Sequence, residues 1–138
     1  MPRPKHVLFV EDEQYRNAKL VRFLQAKGLQ VTAACTLKEA VETAARGGFG
    51  CVLLDVMLPP GDGENDEFEA LTAGVEFLRR LRSGAIQGAD PQVPVVVLTG
   101  RPEAAVEEEI RRLGVQAFIN KPESMSVLLQ TIEEAIAA

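Results

Sequence analysis

Glu11 and Asp12 close the apolar run His6-Val7-Leu8-Phe9-Val10, and Asp55 closes Cys51-Val52-Leu53-Leu54. Thr99 closes Val95-Val96-Val97-Leu98, and Lys121 follows Ala117-Phe118-Ile119-Asn120. Three acids, a hydroxyl and an ammonium are the groups that a metal ion, a phosphoryl group and a nucleophile require. Three carboxylates gathered closely repel one another and remain ionised together only around a cation. Their donors are hard oxygens, which select Mg²⁺, with Mn²⁺ as the alternative, over zinc. Each residue also has an ordinary explanation. An acid can cap a solvent-facing turn, a Thr can satisfy a backbone group, and a Lys before Pro can be an exposed loop residue. That explanation would have to hold five times at one edge of one sheet.

An alternation of strand and helix, five times over, must place these groups. Strand 1 is expected over about residues 6–11 and helix 1 over about 14–27, with Leu20, Phe23, Leu24 and Lys27 at helical spacing and Gly28 as its stop. Strand 2 is expected from Leu29 to Ala34. Helix 2 opens on Thr36 and Glu39, the Thr-x-x-Glu capping box, and ends near Gly47-Gly48. Strand 3 covers about 51–55, and an acidic loop rich in turn residues follows over about 59–70. Helix 3 is expected to begin near Ala70 or Leu71 and to carry Val75, Leu78 and Leu81. Strand 4 is expected over about 94–98 and helix 4 after Pro102, with Glu107–Arg111 and Glu108–Arg112 as exposed i, i+4 pairs and Gly114 as its end. Strand 5 is expected over about 115–119. Helix 5 is expected from Pro122 or Glu123, with Val127, Leu128, Ile132 and Ile136 facing inward. Such an alternation means a parallel sheet, and unbroken apolar strands 3 and 4 mean a sheet covered on both faces.

The 138 residues fit one domain, 1–138, long enough to bury a core without staples. The net charge of −5 argues against direct nucleic-acid binding, since no basic patch stands out to meet phosphates. No apolar run approaches the roughly 20 residues of a membrane span. The N-terminal Met1-Pro2-Arg3-Pro4-Lys5 does not read as a signal peptide, so a cytoplasmic location without membrane insertion is expected.

The set Val-Leu-Phe-Val-Glu11-Asp12-Glu13, Val-Leu-Leu-Asp55-Val-Met-Leu-Pro59, Val-Val-Val-Leu-Thr99-Gly100 and Phe118-Ile-Asn-Lys121-Pro122 resembles the receiver domain of two-component response regulators over essentially the whole chain. The resemblance implies a flavodoxin-like, doubly wound α/β fold, (βα)5, with five parallel strands in the order 2-1-3-4-5. It implies a stand-alone phosphoacceptor module. Asp55 would accept the phosphoryl group. Asp12 and Asp55 would hold Mg²⁺, with Glu11 acting through a water and the Met57 backbone carbonyl as a further ligand. Lys121 and Thr99 would contact phosphate oxygens, Thr99 and Phe118 would form the switch, and the Lys121–Pro122 bond would be cis. The donor would be a histidine kinase or a histidine phosphotransfer protein. The changed surface of helix 4, strand 5 and helix 5 would meet a downstream protein target. In that strand order Cys35 and Cys51 lie about 10 Å apart, beyond disulfide reach, and are expected to be reduced core thiols. His6 precedes strand 1, away from the strand C-termini, and no role is expected for it.

Three features depart from the family pattern. The loop after strand 3 is long, Gly74 stands where the family closes a short one, and Met57 replaces a residue that is often polar and influences phosphate lifetime. The loop's alternating Asp62, Glu64 and Asp66 suggest calcium. That pattern needs Gly at the sixth position and Glu at the twelfth, where Glu67 and Ala73 stand. With Phe68 as its one aromatic, the loop is expected to stay outside the core and to serve specificity. Two other functions compete: an Asp-nucleophile phosphatase or phosphotransferase, and a receiver-like partner-binding module that works without phosphorylation. Asp55-Val56-Met57 lacks the second acid of Asp-x-Asp phosphatases and no glycine-rich phosphate loop is present, so no turnover enzyme is expected. The intact five-residue set argues against a degenerate receiver.

Overall fold

Five short parallel strands form one sheet in the order β2-β1-β3-β4-β5. They are β1 (His6–Val10), β2 (Gln30–Ala34), β3 (Cys51–Asp55), β4 (Val95–Thr99) and β5 (Ala117–Asn120). Between and after them run α1 (Ala18–Ala26), α2 (Leu37–Ala44), α3 (Glu67–Ser83), α4 (Ala104–Leu113) and α5 (Met125–Ala137). The computed structural model describes residues 3–11, 18–55, 67–99, 104–120 and 124–137. This is the expected flavodoxin-like, doubly wound order. No helix among the described residues is long and apolar enough to cross a membrane.

The strand sequences follow from cover on both faces. Leu8, Val10, Val52, Leu54, Val95 and Val97 meet residues of α2, α3 and α4 in one apolar cluster. The alternating residues Val7, Phe9, Cys51, Leu53, Val96 and Leu98 meet α1 and α5 in a second. Side chains alternate along a strand, so a strand buried on both sides must be apolar throughout. The edge strand β2 is half exposed and carries Gln30 and Thr32 instead. Parallel strands buried this way place every strand's C-terminal end on the same side of the domain.

The helix ends hold three corrections. α2 begins as expected: Thr36 Oγ1 accepts from the Glu39 amide at 3.1 Å, and the Glu39 carboxylate accepts from the Cys35 amide at 2.8 Å. By contrast, α3 begins at Glu67, not at Ala70 or Leu71, so the acidic loop is shorter than expected. Acidic residues in a first helical turn favour that start by complementing the helix dipole. Gly74 lies inside α3, as either start places it. α5 begins at Met125, capped by Ser124, whose hydroxyl accepts from the Val127 amide at 3.1 Å. Val127 is 42% exposed and does not face inward; Leu128, Ile132, Ala135 and Ile136 form the buried stripe. Successive helical residues are rotated by about 100°, so Val127 and Leu128 cannot share the narrow core-facing side.

Strand limits move by a residue or two: β4 includes Thr99, and β5 starts at Ala117. Neither cysteine forms a disulfide: Cys51 is buried on β3, and Cys35, which directly follows β2, is only half-buried, so Cys51 alone is a core thiol. Burial pushes the Cys51 thiol up to about 12.

Candidate functional site

The C-terminal edge of the sheet gathers three of the chemistry-bearing residues. Asp55 is the last residue of β3 and is 5% exposed. Its neighbour on β1 follows from the register: Val10 pairs with Leu54, so Glu11 stands beside Asp55, about one strand spacing of 4.8 Å away. Glu11 is 1% exposed, and its amide donates to the Ala34 carbonyl at 3.0 Å, which carries the β1–β2 ladder one residue past Val10. On the other side Asp55 pairs with Leu98, so Thr99, 1% exposed, lies one residue further along β4.

Pleating sorts these groups by face. Glu11 and Asp55 alternate with Val10 and Leu54 and so fall on the α1/α5 side. Thr99 continues Val95 and Val97 on the α2/α3/α4 side, the side on which Phe118 packs. The acids thus form one group and the hydroxyl approaches from the other face. Glu11, Asp55 and Thr99 each have an interaction partner. Asp12, Met57, Lys121 and the Lys121–Pro122 bond lie outside the described residues, as does the greater part of the acidic loop. Among the described residues no three metal-ligating side chains assemble. The described part of the site is the Glu11/Asp55 pair, an all-oxygen donor set.

That donor set fits Mg²⁺. Two carboxylates almost fully removed from water on adjacent strands are costly unless a cation or a proton offsets them. Carboxylate oxygens are the ligands a hard divalent ion selects, and Mg²⁺ is commonly held by one or two of them.

Phe118 lies half-buried on β5 and pairs in register with Val97, two residues before Thr99. The Arg111 guanidinium covers its ring at 5.2 Å from the centroid, while Arg111 also pairs with Glu107 at 2.8 Å. Sequence reasoning found the Glu107–Arg111 pair but not the ring beneath it, because a helix-to-strand contact leaves no spacing signature. His6 sits at the opposite end of β1, hydrogen-bonded to Thr32 Oγ1 at 2.7 Å and packed on the Phe49 ring at 4.3 Å.

A doubly wound parallel sheet that carries two buried acids and a hydroxyl at its C-terminal edge has its polar groups where such folds place their ligand sites. Residues 7–133 match the response regulator receiver domain family, and the chain belongs to that family. The transcriptional regulatory protein YkoG of Bacillus subtilis is 34% identical over 131 residues, 95% of this chain and 50% of that protein. The chain spans about half the length of the curated relatives it matches. Among solved structures, the beryllofluoride-activated NtrC4 receiver domain dimer is 29% identical, covers 96% of each chain and superposes with a TM-score of 0.75. The receiver domain of the sensor histidine kinase PA1611 from Pseudomonas aeruginosa, with magnesium coordinated in its active site cleft, matches at a TM-score of 0.75. It is 23% identical over 96% of this chain and 98% of that one, a likeness of fold.

Proposed function

We propose that this receiver domain is a Mg²⁺-dependent phosphoacceptor in a two-component system or phosphorelay, with Asp55 as the residue phosphorylated. The observation that carries the reading is the placement of Asp55: buried at the end of β3, beside Glu11 in register and next to Thr99 on β4, in a chain of the receiver family. An Asp55 carboxylate oxygen forms the new P–O bond as the P–N bond of a partner's phosphohistidine breaks, and the released imidazole takes up a proton. The domain is a stoichiometric acceptor and not a turnover enzyme, and its setting is the cytoplasm. The donor is a histidine kinase or histidine phosphotransfer protein, and the target is a downstream protein.

The remaining roles follow the family pattern. Asp12, Asp55 and the Met57 carbonyl would hold Mg²⁺, with Glu11 acting through a water, and the ion when bound would supply positive charge for the equatorial phosphoryl oxygens. Lys121 adds a second positive charge, and Thr99 donates its hydroxyl to a phosphate oxygen. Thr99 shares a sheet face with Phe118, so a hydroxyl drawn toward the phosphate frees space that Phe118 can enter. The readout is then the surface of α4, β5 and α5.

Incubation with acetyl phosphate and Mg²⁺, followed by intact mass, tests the reading. One phosphoryl group should add to the wild type, and none without the metal or in Asp55→Asn. Normal labelling of Asp55→Asn would show that another residue is the acceptor.

A further inference from the structure

The opposite, N-terminal edge of the sheet carries a groove of about 590 Å³, lined by Arg3, Arg82, Pro91, Pro94 and Leu113 among others. Pro94 directly precedes β4, and Gln116, also in the groove wall, directly precedes β5. A five-residue strand separates this groove from the Asp55 and Thr99 edge, about 16 Å at 3.3 Å per residue. It is therefore no part of the phosphoacceptor site.

Arg82 is its central feature. This half-buried residue near the end of α3 donates three hydrogen bonds to backbone carbonyls: Nε to Gly114 at 2.9 Å, and Nη1 to Pro91 at 2.9 Å and Val93 at 2.7 Å. A guanidinium carries five N–H donors, so two, on Nη2, remain. No described residue accepts from them, and no buried side-chain nitrogen among the described residues lacks a partner. Nη2 is therefore open to solvent, on a residue that lines the groove. No described carboxylate lies within ion-pair distance of Arg82. The acid that acts on it, Asp90, is engaged by Arg3 at 2.7 Å. Two guanidiniums thus share one carboxylate, leaving local positive charge in a chain of net charge −5.

We propose that this groove is a second ligand site, for a small molecule bearing a carboxylate or phosphate on an apolar body. The two open N–H groups of Arg82 Nη2 can donate to the oxygens of such an anion, beside a fixed positive charge. Three carbonyls already fix the guanidinium, so little side-chain freedom is lost on binding. The volume falls within the range of small-molecule sites. Pro91, Pro94, Leu113, Val115 and Ala135 supply apolar wall for the body of the ligand. Because Arg82 joins the end of α3, the segment before β4 and Gly114 after α4, an occupant braces the end of α4 remote from Thr99.

The test is a titration of the ¹⁵N-labelled chain with benzoate, phenyl phosphate and inorganic phosphate, at constant ionic strength and without Mg²⁺. Saturable shifts should appear at the Arg82 Nε–H and at the Gln92, Gly114 and Gln116 amides, and not at Glu11, Asp55 or Thr99. The stronger of benzoate and phenyl phosphate identifies the anion class. Arg82→Lys keeps the charge but loses the Nη2 donors that the three carbonyl bonds hold in place, and should weaken binding about ten-fold. Arg3→Gln, on the surface, should weaken it about three-fold through lost charge and keeps the test open if the Arg82 variant misfolds. Shifts that never saturate, or equal affinity in Arg3→Gln and a folded Arg82→Lys, overturn the site. Inorganic phosphate binding as well as phenyl phosphate overturns the ligand class.

Discussion

The two edges of this sheet are chemical opposites. At the C-terminal edge Glu11 and Asp55 are 1% and 5% exposed acids on adjacent strands. At the N-terminal edge Arg82 is a half-buried cation tied down by three backbone carbonyls, and the chain crosses itself at short range. An ideal Cβ on Gly50 would lie 1.8 Å from the Pro4 carbonyl oxygen, and one on Gly88 2.0 Å from that of Ala45. The difference separates two jobs. The base joins strands to helices through contacts that leave no room, and it supplies stability. The acidic edge brings two buried carboxylates together, and under the proposed function it is the edge that binds a cation and supplies chemistry. A net charge averaged over the chain conceals both.

The base should break first. Gly50→Ala forces a carbon into the Pro4 carbonyl, and neither backbone can yield without opening the β1–β3 pairing, where the Gly50 amide donates to the His6 carbonyl at 2.8 Å. A loss of about 3 kcal/mol or more is expected in denaturant unfolding. Gly28→Ala is the control. Gly28 has φ +94° but nothing within 4 Å of its ideal Cβ, so only the backbone strain remains, about 1 kcal/mol. Similar losses for the two variants would mean that the base is not the rigid half of the molecule.

The acidic edge should respond to a cation, with a smaller effect. Binding of Mg²⁺ to the folded state at ten times its Kd stabilises the protein by about 1.4 kcal/mol, seen as a rise in Tm that NaCl at matched ionic strength does not reproduce. Asp12→Ala should remove most of that rise, and Glu11→Gln should reduce it. Both should leave the metal-free protein as stable or more stable, because each removes a repelling charge. A wild-type Tm indifferent to millimolar Mg²⁺ would refute the assignment of this edge as a cation site.

The contrast between the edges also explains what the sequence could reveal. Strands covered on both faces must be written as unbroken apolar runs, so the polar residues that end them, Glu11, Asp55 and Thr99, stand out. The family motifs then supplied strand order. α3 was harder: Glu67 to Ala70 directly follows an acidic turn-rich stretch, and good helix-forming residues there are outweighed by the turn signals before them. Val127 misleads because it is apolar and adjacent to Leu128, although only one of two consecutive residues can face the core fully. Arg82 was not legible at all. Its partners are carbonyls of Pro91, Val93 and Gly114, and every residue has a carbonyl, so nothing in the side-chain pattern marks them.

The smallest effect joins stability and binding at the base. The Gln92 amide and the Arg3 guanidinium hold the Asp90 carboxyl below its ordinary range. A lowered carboxyl contributes stability above its unfolded-state pKa of about 3.9 and loses it as pH falls through the folded value below that. Asp90 is 48% exposed, so solvent screening limits the contribution to under about 1 kcal/mol. Asp90→Asn should therefore be slightly less stable than wild type above about pH 5, and the gap should close as pH falls from about 4 toward 2. A gap that holds constant or widens in acid would show that the Asp90 charge is not its source. The same substitution leaves Arg3 without its carboxylate and adds to the positive charge of the groove. Phenyl phosphate or benzoate should then bind more tightly to Asp90→Asn than to wild type, by about two- to three-fold, with the gain reduced at high salt. Weaker binding would mean that Asp90 orients the groove and does not merely neutralise it, and the opposition of the two edges would then not extend to ligand binding at the base.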